Sequence, residues 1–166
     1  MRIGIISDTH DRQGRIESAV ARFNRANLDL VLHAGDYVSP FVVPWLAALS
    51  APLVGVLGNN DGDRALLAAR FAEHDHLDLR GDFARVEADG CTIALLHGHQ
   101  RELFDALVAS QGFDYVVRGH SHRAATERHG RTLVVNPGTA SGILAADPTV
   151  AILDTATGGV EELVLR

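Results

Sequence analysis

The chain opens on a largely apolar, β-branched run over residues 2–7 that stops at Asp8. Two more such runs follow. Residues 28–32 are apolar except for Asp29 and lead into Ala34-Gly35-Asp36, and residues 53–57 end on Gly58-Asn59-Asn60-Asp61. After the first run, Ile16, Val20, Ala21 and Phe23 recur at a spacing that predicts a helix over about 13–26 with one face on a core. Apolar strands alternating with helices indicate a largely parallel, buried sheet. The second half has another rhythm. Asp89-Gly90 separates strand-like residues 83–87 and 92–96, and His129-Gly130 separates 124–128 and 132–135. Gly158-Gly159 separates 150–153 and 160–165, so this half is rich in hairpins. A helix over 101–110 and a strand over 115–118 complete the pattern. Two sheets packed face to face, with helices outside, are expected. No repeat, low-complexity tract or long linker interrupts the chain, so residues 1–166 are expected to form one domain.

Composition narrows the function. Of 166 residues, 46% are hydrophobic, enough for a sizeable core. No apolar run approaches the ~20 residues that span a bilayer, and the N-terminal run is too short for a secretory signal. A cytoplasmic protein is expected, and the lone Cys91 suits a reducing compartment. A net charge of −6 argues against a face built to coat nucleic acid. All 15 basic residues are Arg, which carries no functional reading. The nine histidines do carry one.

Strand after strand ends in a short loop with metal-ligand side chains: Asp8 and His10, Asp36, Asn59, His97, then His120 and His122. In an open α/β sheet, ligands bind beyond the carboxyl ends of the strands, so residues distant in sequence meet at one edge. Gly35, Gly58, Gly98 and Gly119 relieve crowding where these loops converge. Two carboxylates, one amide and four imidazoles exceed what one tetrahedral ion uses, and no thiolate joins them. A pair of ions sharing one carboxylate fits this donor count. Such ions sit about 3.5–4 Å apart and hold one hydroxide between them. The mixed donors suit Mn²⁺ first, with Ni²⁺, Fe, Co²⁺ and Zn²⁺ as alternatives. Each residue also has a plainer role. Asp8 and Asp36 would serve as helix caps and Asn59 as a turn residue, but their joint occurrence with four histidines favours a metal site.

The series Asp8-Thr9-His10, Gly35-Asp36, Gly58-Asn59-Asn60-Asp61, His97-Gly98-His99 and Gly119-His120-Ser121-His122 resembles the calcineurin-like metallophosphoesterase superfamily. The small size and Asn136-Pro137-Gly138 resemble its compact YfcE-like phosphodiesterase group. The resemblance implies a four-layer α/β/β/α sandwich of two mixed sheets with flanking helices. It implies that Asp8, His10 and His122 hold one ion, that Asn59, His97 and His120 hold the other, and that Asp36 bridges them. It also implies a dinuclear hydrolase acting on a small phosphoester, most simply a phosphodiester, and a homodimer or homotetramer.

One position departs from the superfamily pattern. Many members carry His directly after the ligand Asn, where this chain has Asn60. An amide donates a hydrogen bond but delivers no proton near neutral pH, and general acid catalysis is typically worth ~10²–10⁴-fold. Modest turnover, best on aryl esters, is therefore expected. Asn60 and His99 are the catalytic candidates, and both, with Arg118, are candidate substrate contacts. Arg12 and Arg101 are expected on the surface. His33 is expected to be a hydrogen-bonded structural histidine, Asp61 to orient the Asn59 loop, and His74, His76 and His129 to be solvated. Trp45, Phe41 and Leu46 are expected in core packing, and Asn136-Pro137-Gly138 as a turn. Two rivals stay open: a non-catalytic protein scaffold of the retromer-subunit type on the same fold, and a phosphomonoesterase or nuclease limited to short nucleotides.

Overall fold

A computed structural model describes all of residues 1–166. The first half runs β1 (Arg2–Ile6), α1 (Gln13–Arg25), β2 (Leu30–His33), a 3₁₀ turn at Pro40–Val42, α2 (Val43–Leu46), β3 (Leu53–Gly55), α3 (Arg64–Phe71) and β4 (Leu77–Leu79). The second runs β5 (Phe83–Ala88), β6 (Cys91–Leu96), α4 (Arg101–Ser110), β7 (Tyr115–Val117), β8 (Ala124–His129), β9 (Thr132–Pro137), β10 (Thr149–Asp154) and β11 (Gly159–Val164). One sheet has the order β11-β10-β1-β2-β3-β4 and the other β5-β6-β7-β9-β8. Strands β1 to β4 are parallel, and the β10–β11 hairpin closes the first sheet by pairing antiparallel to β1. The second sheet is mixed.

Side-chain alternation along the strands separates the layers. Ile3 and Ile5 of β1 join Leu32, Val54, Ile93, Leu95 and Val117 in the core between the sheets. Ile6 turns the other way, into a core shared with Ile16, Val20 and Phe23 of α1, Leu46 of α2 and Leu67 and Phe71 of α3. Ala94, Leu96, Val116 and Val134 face Phe104, Leu107 and Val108 of α4. Three cores between helices, sheet, sheet and helix make the expected α/β/β/α sandwich. No helix is long and apolar enough to cross a membrane.

Several details differ from the expectations. On α1 the buried residues are Ile16, Ala19, Val20 and Phe23, while Ala21 is exposed. Ala19 is three residues from Ile16 and shares its face, whereas the fifth residue on lies well round the helix. Strand β2 begins at Leu30, because Asp29 closes the turn before it: its N–H donates to the Arg2 carbonyl (2.9 Å) and its carboxylate accepts from the Arg2 N–H (2.7 Å). Asn136 and Pro137 belong to β9 and form no turn. Leu46 is buried, but Phe41 is 78% exposed. His74 and His76 are half-buried, and the His76 ring lies 3.1 Å from the Ala47 carbonyl. Helix α3 went unread, although Asp63 caps it by accepting from the Leu66 N–H (3.0 Å) and Leu67 and Phe71 bury one face.

Candidate metal centre

The loops after β1, β2, β3, β6 and β7 meet at one edge of the sandwich. Backbone bonds lace the first two together: the Asp8 N–H donates to the Gly35 carbonyl (3.0 Å) and the His10 N–H to the Asp36 carbonyl (3.1 Å). The Asp61 carboxylate ties in the β3 loop, accepting from the N–H groups of Gly58 (2.6 Å), Val38 (2.8 Å) and Asp36 (3.2 Å). Thr139 Oγ1 donates to the Asp8 carbonyl (3.0 Å), and Asn136 Nδ2 to the Gly119 carbonyl (2.9 Å). Within this lacing Asp8, His10, Asp36, His120 and His122 all have positive φ, between 44° and 66°. Such strained backbone persists only where the surroundings over-determine it, and it gathers at functional sites.

The side chains so placed point at one another. Asp8, His10, Asp36 and His122 each offer a ligand atom, and these atoms lie within 4.8 Å of one another. His122 Nε2 is 3.0 Å from Asp8 Oδ1, and His10 Nε2 is 3.6 Å from Asp36 Oδ2. On the other side of Asp36, His97 Nε2 is 3.4 Å from the same Oδ2. Asp8 Oδ1, His10 Nε2 and His97 Nε2 are buried and have no hydrogen-bond partner. Buried polar atoms are rarely left so, and two imidazole nitrogens facing the Asp36 carboxylate with the Asp8 oxygen beside them suit a bound cation. The far nitrogens are engaged: His97 Nδ1 lies 2.7 Å from the Ala34 carbonyl and His122 Nδ1 2.7 Å from the Ile143 carbonyl. A carbonyl only accepts, so each Nδ1 carries the proton and each Nε2 faces inward, as metal-ligating histidines do.

Burial by itself would raise the Asp36 carboxyl, but the neighbouring His97 and the Asn60 N–H and amide outweigh it and hold it well below the carboxylate range. Asp8 behaves alike: burial opposes the charge, and His10, Ser7, His97 and His122 more than restore it. Burial lowers the His97 imidazole, but Asp36 overrides it and the net shift is upward. His10 is raised chiefly by Asp8. Burial, then the charge of His97, lowers both His99 and His120. The centre is thus a buried pair of carboxylates that draws positive charge to itself.

His33 is structural, as expected. Its Nδ1 accepts from the Gly35 N–H (3.1 Å), which leaves Nε2 protonated beside Thr9 Oγ1 (3.3 Å), and its ring stacks on Tyr37. Complete burial pushes its pKa down to about 3. The folded state therefore keeps it neutral while the unfolded chain protonates it near pH 6.5, so stability is full above that pH and falls as pH drops toward 3. His33 by itself is therefore expected to contribute roughly 2 kcal/mol more stability at pH 8 than at pH 5, against contributions of opposite sign from the upward-shifted His10 and His97. Urea unfolding of wild type and His33→Gln at both pH values checks this; an identical pH difference in the two would refute it.

The predicted site residues do not all come together. Asp8, His10, Asp36, His97 and His122 do. The His120 ring lies 5.1 Å from the His97 ring but is exposed. Asn59 is exposed and its side chain makes no hydrogen bond. Its neighbour Asn60 reaches Asp36 instead, its Nδ2 donating to Oδ2 (2.7 Å) and its N–H to Oδ1 (2.9 Å). His99 and Arg118 line a cleft beside His120. The sequence reading missed the Ala34 and Ile143 carbonyls that orient the imidazoles, since a backbone acceptor has no residue signature. It also missed Thr139 and Asn136 as braces; both polar side chains sit in or beside an apolar strand, a signal that was available.

A family model for the calcineurin-like phosphoesterase superfamily domain matches residues 1–158. The chain belongs to the calcineurin-like phosphoesterase superfamily. Among curated proteins it is 38% identical over 166 residues, 100% of both chains, to phosphodiesterase MJ0936 of Methanocaldococcus jannaschii. Among solved structures, an archaeal phosphodiesterase superposes with a TM-score of 0.95 at 38% identity, covering 99% of this chain and 100% of that one. YfcE, a phosphoesterase from E. coli, shares the fold at 18% identity, with a TM-score of 0.72 and full coverage of both chains.

Proposed function

We propose that this chain is a phosphodiesterase, one domain over residues 1–166, that works with two divalent ions. Asp8, His10 and His122 would hold one, His97, His120 and Asn59 the other, and Asp36 would serve both. The observation that carries the reading is the meeting of three buried, unpartnered atoms: His10 Nε2 and His97 Nε2 face the Asp36 carboxylate, and Asp8 Oδ1 faces His10. The full-length relative named a phosphodiesterase supports the choice of substrate class. The Asn59 side chain is exposed and makes no hydrogen bond, so it is free to turn.

Bound there, the ions would supply Lewis acidity, activating a water and offsetting charge on the phosphoryl oxygens. The chain's own residues do the rest. Asp61 fixes the β2 and β3 loops, so the ligands are held before substrate arrives. The carbonyls of Ala34 and Ile143 keep Nε2 of His97 and His122 unprotonated and inward. Asn60 bonds Asp36 and steadies the central carboxylate, and its amide has no proton to give a departing alkoxide. His99, half-buried with an unpartnered Nδ1 at the cleft, is the one imidazole of this group left to assist departure. Esters with acidic alcohols, such as aryl phosphodiesters, need that help least.

Mn²⁺ is the metal we favour for this mixed donor set, in a cytoplasmic homodimer or homotetramer. The test loads the protein with Mn²⁺, Ni²⁺ or Zn²⁺, counts ions per chain, and assays bis(4-nitrophenyl) phosphate against 4-nitrophenyl phosphate. Two ions per chain and a kcat/KM higher on the diester by about tenfold or more are expected. Stoichiometric metal without turnover of either ester would favour a scaffold, and a monoester preference would reassign the substrate class.

A further inference from the structure

Arg118 follows β7 and is half-buried. Its guanidinium carbon lies 4.4 Å from the centre of the Phe104 ring on α4. Its stem runs across Gly98: a Cβ there would stand 3.4 Å from both Cβ and Cδ of Arg118. The β6–α4 loop and helix α4 thus hold this cation in place. No anion holds it. No carboxylate lies within ion-pair distance, its side chain makes no hydrogen bond, and its Nε is sealed from solvent without an acceptor.

The residue lines a cleft of about 490 Å³ with Gly98, His99, Arg101, Phe104, Asp105 and His120. Asp105, the one carboxylate there, faces Arg101 at 3.5 Å. Helix α4 starts at the same cleft, and no side chain caps its first turn. A partly desolvated guanidinium without a counter-charge is less favourable than a paired one, and an anion entering the cleft would meet the part of it that lines the cleft. His120 joins this cleft to the metal centre, and the cleft has room for more than a phosphoryl group.

We propose that the cleft seats one of the two ester groups of the substrate and that Arg118 selects groups carrying an anion of their own, a second phosphate or a carboxylate. The inference rests on the phosphodiesterase reading. It makes the preferred substrate a phosphodiester with a further negative charge close to the scissile bond. With the scissile phosphoryl at the metal centre, Arg118, stacked on Phe104 across the cleft, would meet the second anion through charge-assisted hydrogen bonds.

The test uses Mn²⁺-loaded protein and three esters with one chromogenic leaving group: 4-nitrophenyl ethyl, 4-nitrophenyl 2-carboxyethyl and 4-nitrophenyl 2-phosphoethyl phosphate. Wild type is expected to prefer at least one anionic ester over the ethyl ester by about tenfold in kcat/KM, mainly through KM. The carboxylate and phosphate arms show which source Arg118 takes. Arg118→Ala is expected to bring that ratio near one at unchanged metal content, and Arg118→Lys to restore part of it. Turnover of the ethyl ester without discrimination in wild type would overturn this inference alone. So would an equal loss on all three esters in Arg118→Ala, or a preference that survives the substitution. No turnover of any ester would overturn the phosphodiesterase reading and this inference with it.

Discussion

Asp36→Asn is expected to lower kcat/KM on an aryl phosphodiester on the order of 10³-fold, about 4 kcal/mol of transition-state stabilisation. Asp36 is 1% exposed and its Oδ2 faces His10 at 3.6 Å and His97 at 3.4 Å. The isosteric amide keeps the shape and removes the charge that both imidazoles face. It also puts an NH₂ where only acceptors are useful, against Asn60 Nδ2 or the histidines. Bound metal should drop below that of wild type in the same preparation. Circular dichroism and unfolding separate this from misfolding: a folded variant with full metal content and full activity would disprove the bridging role.

Gly58→Ala is expected to be nearly as damaging, although glycine carries no functional group. A Cβ on Gly58 would stand 2.1 Å from Asp36 Oδ1 and 2.6 Å from the Asp36 backbone nitrogen. A carboxylate oxygen can swing away, but the peptide nitrogen is fixed, because the Asp36 N–H donates to Asp61. The β2 and β3 loops must part, which costs roughly 1–3 kcal/mol of stability by overpacking and moves the central carboxylate off its partners. A loss of metal affinity of about 10–100-fold should accompany it, the usual scale for disturbing the support of a ligand. Chemical denaturation and metal titration measure the two effects. Wild-type metal affinity in Gly58→Ala would show that the loops yield without moving Asp36.

These two substitutions differ in how they were readable. Asp36 stands out in a string as the carboxylate after an apolar strand. Gly58 stands out only as one glycine among several, and its strict need follows from a distance between loops that are 22 residues apart in the chain. Helix α4 was legible to its ends, because 101–110 is a periodic segment closed by Gln111-Gly112. Helix α3 was overlooked beside the turn-rich Gly58–Asp63 stretch, where turn residues masked the capping Asp63. Ala21 was placed on the wrong face of α1 by one step of the helical period.

Most of the strands, the candidate donors after them and the superfamily were legible in the sequence, because apolar runs and turn residues act locally; the three-residue strand β4 and helix α3 were not. The tertiary structure alone decided how those donors meet. It set which nitrogen of each histidine faces inward, because that depends on the Ala34 and Ile143 carbonyls brought there by remote segments. It placed Asn60, not Asn59, on the Asp36 carboxylate, and it left Arg118 without an anion above Phe104. Adjacent residues in a turn point in opposite directions, and an unpaired charge is defined by what is missing around it. Both are facts of three-dimensional surroundings, which a linear pattern does not contain.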